Sequence, residues 1–462
     1  MQNFSGKHVI IIGAGRQGTA LSRYLVEHGA QVTLTDNRTE DQIGSLSDLC
    51  ASGVKLSLGG HDPALLTGAD LLCLSGGVSL ALPFVREATA QGIKLSNDSQ
   101  IFLEACPATV IGITGSAGKS TTTSLVGLMA TRFNEMKGER FKVWVGGNIG
   151  NPLIDHVDEI GEDDLVVLEL SSFQLELMTR SPQIAAVINL TPNHLDRHLT
   201  MEAYAAAKAN ILLYQKQGDV AILNRDDPGS WALQNSVKSD LISFGFHKPP
   251  GSENGSYIDR EHVCLKIGKD NLKMFPLDWI QLRGKHNVYN VLAASAIAAS
   301  ASLALPAIQS AVENFTGVPH RLEFVREFKG ASWYNDSIAT APERTLAAIE
   351  SFDEPIILLL GGRDKNLPWE KLADVIRRKV FRVILFGEAA DLISNAIGPK
   401  KRGQYLQSVV RCATLQEAVK TAANQVAEGN IVLLSPGGTS YDAFKDFEER
   451  GECYRKWVNE LM

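Results

Sequence analysis

Short, continuously apolar runs recur along the chain: HVIII from His8, LLCL from Leu71, TVIGIT from Thr109, LVVLEL from Leu165, AAVINL from Ala185, VAILN from Val220, PIILLL from Pro355, RVILF from Arg382 and NIVLL from Asn430. Most are separated by stretches with helical spacing. Strands without polar alternation are buried on both faces, so the pattern predicts parallel sheets covered by helices, an α/β fold. The polar, hairpin-like patch GSYIDREHVCLKI, at 255–267, predicts extra strands in the middle of the chain. An alanine-rich stretch at 288–303 predicts a long helix. A chain of 462 residues is too long for one ordinary core. Plausible seams lie near Ala105-Cys106-Pro107 and Gly317-Val318-Pro319, dividing it into 1–105, 106–318 and 319–462.

Composition narrows the class. Hydrophobic residues make up 44% and charged residues 21%, which reads as soluble and globular. The net charge of −7 implies no general attraction to nucleic acid or to anionic membranes. Six scattered cysteines without a C-x-x-C pair suit a reducing compartment, and the cytoplasm is the expected location. No signal pattern opens the chain, and no run reaches ~18 apolar residues, so no membrane span is expected.

The strongest chemical signal is TVIGITGSAGKSTTTSLVGLMA, at 109–130: a strand, a glycine loop, a lysine, hydroxyl residues, then a helix. Such a loop turns backbone N–H groups and a helix N-terminus onto phosphate. Lys119 would reach the β/γ-phosphates and the Ser120 hydroxyl would ligate Mg²⁺. Position 113 is Ile rather than the Gly of the strict phosphate-loop pattern. Downstream, Glu169 ends an apolar strand, a natural place for a Mg²⁺ partner, although a strand-end carboxylate facing water is the plainer reading. His194 follows a strand and Lys208 sits mid-helix; taken singly, a surface histidine and a solvated lysine explain them. A second glycine turn, IIGAGRQG, with Gly13, Gly15 and Gly18 and then Asp36, has the G-x-G-x-x-G spacing of a dinucleotide site. Taken alone, it leaves a nicotinamide oxidoreductase open.

GSAGKST at 115–121, GGNIG at 146–150, LELSSFQLE at 168–176, NHLDRH at 193–198 and AAK at 206–208 occur in one order. In that combination the chain resembles the Mur ligase family of ATP-dependent amide-forming enzymes. WYNDSIATAPE at 333–343, LLLGGRDKNLPW at 358–369 and LLSPGGTSYDAFKDFEERG at 433–451 are similar to C-terminal motifs of the member that uses D-glutamate. The resemblance implies three α/β domains. These are a Rossmann-like UDP-sugar domain (1–105), a central P-loop ATPase domain with a mostly parallel sheet (106–318) and a Rossmann-like amino-acid domain (319–462).

It further implies a reaction. ATP phosphorylates the carboxylate of UDP-N-acetylmuramoyl-L-alanine, D-glutamate attacks the acyl phosphate, and a tetrahedral intermediate expels phosphate. That is a step of cytoplasmic peptidoglycan precursor synthesis. The implied partners are these small molecules, with neither nucleic acid nor membrane, and a monomer is expected.

Residue by residue, the resemblance places catalysis at Lys119, His194 and Lys208. Phosphates meet Gly115, Ser116, Ala117, Gly118, Lys119, Ser120 and Thr121. Asn287 and Asn290 meet adenine and ribose, and Arg321 and Asp336 reach ATP from the C-terminal domain. Two Mg²⁺ ions fall to Ser120, Glu169, His194 and Lys208, the last as a carbamate. Gly15, Arg16 and Gln17 lie at the diphosphate loop of the nucleotide sugar, with Ser75 and Gly77 near it. Asp36, Asn37 and Arg38 lie near uracil, and Asn148 near the acyl end. Thr340, Lys365, Ser440 and Phe447 take D-glutamate. Ala117 stands where many relatives carry Asn, an expected loss of about one hydrogen bond, ~0.5–1.5 kcal/mol. A sibling ligase using another amino acid, a nicotinamide oxidoreductase and a nucleotide-binding regulator without turnover are the alternatives.

Overall fold

A computed structural model describes residues 3–193, 195–399 and 404–462. Contacts divide the chain into two compact units, Met1–Phe315 and Thr316–Met462. The first unit holds two sheets. One has five parallel strands in the order Lys55–Leu58, Gln31–Asp36, His8–Ile12, Leu71–Leu74, Lys94–Ser96. The run HVIII lies at its centre. Val9 and Ile11 pack into one core cluster and Ile10 and Ile12 into another, so both faces are buried, as continuous apolarity requires.

The second sheet has nine strands. Thr109–Thr114 lies between Ile184–Val187 and Leu165–Glu169, with Val143–Gly147 at one edge. Beyond Ile184–Val187 come Val220–Asn224 and Asp240–Phe244, then an antiparallel extension formed by Asn254–Asp259, His262–Ile267 and Asp270–Pro276. The hairpin expected at 255–267 is the first part of this extension. Its third strand, mostly exposed at its start, gave no apolar signal. The long helix runs Lys285–Ser300, starting three residues before the alanine-rich stretch because Gly284 and a polar first turn begin it.

The two sheets of the first unit share a core. Leu103 and Cys106, next to the expected seam, belong to the same cluster as Leu153, Ile154 and Val157. Polar ties add to it. Asn97 Nδ2 donates to the Gln174 carbonyl at 2.7 Å, Gln174 Nε2 donates to Ser99 Oγ at 2.8 Å, and Arg23 pairs with Asp155 at 2.7 Å.

The second unit holds six strands in the order Glu323–Phe328, Ala331–Asn335, Ile431–Gly437, Ile356–Gly361, Val380–Phe386, Ser408–Arg411, all parallel except the first pair. Ile356, Leu358 and Leu360 face one core cluster and Ile357 and Leu359 the other. No described helix is long and apolar enough to cross a membrane.

Candidate active site

The glycine loop leaves the central strand Thr109–Thr114 at its C-terminal end and enters the helix Lys119–Met136. Gly118 makes the turn with φ +81°, and a Cβ there would lie 2.2 Å from Asn290 Oδ1. The expected nucleotide contact Asn290 therefore stands against the loop, buried, its Nδ2 bonded to Asn287 Oδ1 at 3.0 Å. Lys119 Nζ folds back on the Gly115 and Ser116 carbonyls, at 3.0 and 3.4 Å. Ser120 is buried and Thr121 half-buried in the first turn.

Asn189, which sequence reasoning missed, holds the loop from the neighbouring strand end. Its Oδ1 accepts from the Ser116 and Ala117 N–H groups, both at 2.9 Å, and its Nδ2 donates to the Ala117 carbonyl at 2.9 Å. The strand stops at Val187, short of the apolar run, so that Asn189 can turn toward the loop.

Glu169 and Lys208 flank this loop. Glu169 ends its strand in register with Ile113 and Gly147 and is buried. Asn148 Nδ2 donates to Glu169 Oε1 at 3.0 Å, while the buried Oε2 has no hydrogen-bond partner among the described residues. A buried carboxylate oxygen without a donor is costly to keep. With Ser120 on the adjacent helix turn, this oxygen set fits a hard divalent cation. Among the described residues no three His, Cys, Asp or Glu side chains gather. His194, expected to complete the set, lies outside the described residues.

Lys208 is 1% exposed, not the solvated helix lysine that its position suggested. Its Nζ donates to Thr114 Oγ1 and to the Gly115 carbonyl, both at 3.0 Å. Burial, and secondarily the Lys119 ammonium, hold its pKa well below the usual lysine range, against the pull of Glu169. Tyr204, one turn earlier, lies under the Lys208 amine at 4.9 Å and meets Ser116 Oγ at 3.0 Å.

The second glycine turn is built for close approach. A Cβ on Gly18 would lie 1.9 Å from the Gly13 carbonyl oxygen, so only glycine lets the first turn of the helix Arg16–Glu27 lie this close to the loop. Ser75 Oγ donates to that same carbonyl at 3.1 Å. Gly15 and Arg16 are exposed at the turn, and Gln17 is half-buried. Asp36 accepts from the Ala14 N–H at 2.8 Å and from both Nε and Nη2 of Arg38, at 3.0 and 2.8 Å. Those Arg38 bonds hold its carboxyl below the usual range although burial opposes them. A carboxylate so fully engaged has little left for a ribose diol. Asn37 is exposed beside it. Arg197 ties this region to the nine-stranded sheet: its Nη1 donates to the Gly77 carbonyl at 3.0 Å, its Nη2 to that of Val78, and its guanidinium lies 4.7 Å from the Phe173 ring.

In the second unit, Asp336 is buried, accepting from Ser435 Oγ at 2.8 Å and from the Leu322 N–H at 3.2 Å. Burial pushes its carboxyl up to about 7, with Arg321 and Arg344 pulling the other way. Lys365 Nζ meets Thr340 Oγ1 at 3.3 Å. Ser440 is buried, and Phe447 begins the helix Phe447–Asn459, edge-on to His320 at 6.3 Å. Arg450, also missed from sequence, is fully buried in that helix. It donates to the Ser337 carbonyl at 2.8 Å and to that of Gly438 at 3.1 Å, pinning two loops. Its spacing from the acidic first turn reads as a solvated helix face, so no sequence signal marked it.

Family models cover most of the chain: a Mur ligase MurD-like N-terminal domain at 7–97, a Mur ligase middle domain at 113–298 and a Mur ligase glutamate ligase domain at 320–438. The UDP-N-acetylmuramoylalanine--D-glutamate ligase of Symbiobacterium thermophilum is 40% identical over 98% of this chain and 97% of its own length. The chain belongs to the Mur ligase family. The ligase of the same name from Acetivibrio thermocellus is 37% identical over 100% of this chain and 98% of its own. Among solved structures, the UDP-N-acetylmuramate-alanine ligase MurC from Thermotoga maritima matches with TM-score 0.54 at 17% identity, over 98% of this chain and 99% of that one. MurF from Acinetobacter baumannii matches with TM-score 0.55 at 17% identity, over 99% and 92%. These two support the three-sheet α/β fold of this Mur ligase.

Proposed function

We propose that this Mur ligase joins D-glutamate to UDP-N-acetylmuramoyl-L-alanine at the expense of ATP, with domains at 1–105, 106–318 and 319–462. One arrangement carries the reading: a glycine loop at a helix N-terminus, flanked by a buried carboxylate with an orphaned oxygen and by a buried lysine. The relatives at 37–40% identity bear the name of that activity.

The chemistry follows from charge. A carboxylate must approach a triphosphate, so the site has to supply cations. The loop N–H groups and Lys119 hold the phosphates while a carboxylate oxygen of the substrate bonds to the γ-phosphorus and the bond to ADP breaks. The D-glutamate amine then attacks the acyl carbon and loses a proton, and the carbon–oxygen bond to phosphate breaks. Ser120 and Glu169 would hold Mg²⁺, which would supply positive charge to offset the negative charge of the two anions. Asn148 fixes Glu169 through Oε1 and leaves Oε2 for that ion. Burial lowers the pKa of Lys208, which makes its amine easier to deprotonate into a nucleophile for CO₂. The carbamate so formed, with loss of a proton, puts an anion beside Lys119. Lys365, Thr340, Ser440 and the start of the Phe447 helix take the amino acid, and Arg321 and Asp336 meet the nucleotide.

The test is phosphate release from ATP and Mg²⁺ with UDP-N-acetylmuramoyl-L-alanine, comparing D-glutamate with L-glutamate, meso-diaminopimelate and L-lysine. Release dependent on both the nucleotide sugar and D-glutamate is expected. Release with another amino acid overturns the choice of substrate, and none at all overturns the ligase reading.

A further inference from the structure

Four cations, Arg321, Arg344, Lys365 and Arg450, stand around one loop of the second unit; the buried Asp336 acts on the first two and Asp442 on Arg450. Among the described residues, no Asp or Glu of that unit comes within ion-pair distance of Arg321, Arg344, Lys365 or Arg450; the ion pairs there involve His320, Arg363, Arg377, Arg411, Arg455 and Lys456. Three of the four grip residues 337–340. Arg450 holds the Ser337 carbonyl from inside, Arg344 Nη1 donates to the Ile338 carbonyl at 3.2 Å, and Lys365 meets Thr340 Oγ1 at 3.3 Å. Arg450 spends its donors on protein carbonyls and on the Ser337 hydroxyl. Arg344 and Lys365 are exposed and keep most of theirs. Partial desolvation of their inner atoms, although both side chains reach solvent, and then a neighbouring cation lower the pKa of both: Arg321 for Arg344, against the pull of Asp336, and Arg344 for Lys365.

Helix stability does not explain Arg344. It stands in the first turn of the helix Pro342–Glu350, the end where the helix dipole favours anions. A guanidinium set against that dipole and against a lysine is stabilised once an anion lies between them. Its planar fork also takes a carboxylate through two hydrogen bonds, which an ammonium cannot do.

We propose that Arg344, together with Lys365, binds one carboxylate of the incoming amino acid and so makes the enzyme require an acidic one. This rests on the ligase reading above. Ser440 and the adjoining backbone are left for the second carboxylate. A dicarboxylate then spans the site between two anchors, and an amino acid lacking one of its carboxylates loses one of them.

The test compares wild type, R344Q and R344K in phosphate release, varying D-glutamate at saturating ATP and nucleotide sugar, then varying ATP. Gln can still donate to the Ile338 carbonyl but carries no charge. R344Q is expected to raise the D-glutamate KM about 10- to 100-fold, the range for a charge-assisted hydrogen bond. Its kcat and its ATP KM should stay within about threefold of wild type, which a purely structural role in the loop does not predict. R344K, a point charge in place of a fork, should fall between the two. A D-glutamate KM unchanged in R344Q, or an ATP KM raised by the same factor, overturns the proposal. Should R344Q not fold, R344K decides alone, and an unchanged D-glutamate KM overturns it. Wild type inactive with D-glutamate overturns the ligase reading and this one together; wild type active with R344Q unchanged overturns this one alone.

Discussion

Gly118→Ala is a small substitution with a calculable cost. Gly118 has φ +81°, where an L-residue is disfavoured by roughly 1–2 kcal/mol. The new Cβ would also lie 2.2 Å from Asn290 Oδ1, so the amide must rotate away. Rotation gives up the Asn290–Asn287 bond of 3.0 Å, about 0.5–1.5 kcal/mol more. The sum is about 1.5–3.5 kcal/mol against the native loop. Urea unfolding of the full chain should register that loss in the transition of the first unit, and the ATP KM should rise because both the loop and Asn290 move. A cycle separates the terms. In an Asn290→Ala background the clash is gone, so Gly118→Ala should cost only the backbone portion, roughly 1–2 kcal/mol. A Gly118→Ala variant with wild-type stability and wild-type ATP KM refutes the reasoning. So does a cost that is the same in both backgrounds, because Asn290 would then not feel the new methyl.

Two further expectations complete the set. Lys208→Ala should lower phosphate release by about 100-fold or more, as for loss of a positioned charge at a reacting centre, with partial rescue by short-chain carboxylic acids. Full activity without rescue removes Lys208 from the mechanism. Asp336 carries a carboxyl raised to about 7 by burial, so the folded state holds its proton more tightly than the unfolded chain does. Its stabilising contribution is complete below the ordinary value of 3.8 and is lost as pH climbs through about 7. The shift is worth roughly 4 kcal/mol. Asp336→Asn stays neutral and should flatten the decline in stability of the second unit between about pH 4 and pH 7. An unchanged slope shows that another group sets it.

The strands were legible because a doubly covered strand must be apolar at every position, which is why HVIII and PIILLL read as central strands and lie in the middle of their sheets. The glycine loop was legible because its constraint is local: a turn that only Gly118 adopts, followed at once by a helix. Tyr204 and Lys208, four residues apart, could be placed on one face of a helix from spacing alone.

What that face meets was not readable. Lys208 bonds to Thr114 and Gly115, more than ninety positions earlier in the chain, and only that contact makes it a buried amine rather than a solvated one. The orphaned oxygen of Glu169, the grip of Asn189 on the loop, the burial of Arg450 and the charge effect of Arg344 on Lys365 have the same origin. Each depends on which strand end or helix turn lies opposite, and periodicity reports only that a face is covered. The sequence by itself determined the layers, the two glycine turns and, through several motifs in one order, the family. The tertiary structure decided which charges are buried and which stand unbalanced, because desolvation and Coulomb interactions act between residues that the fold, not the chain, makes neighbours.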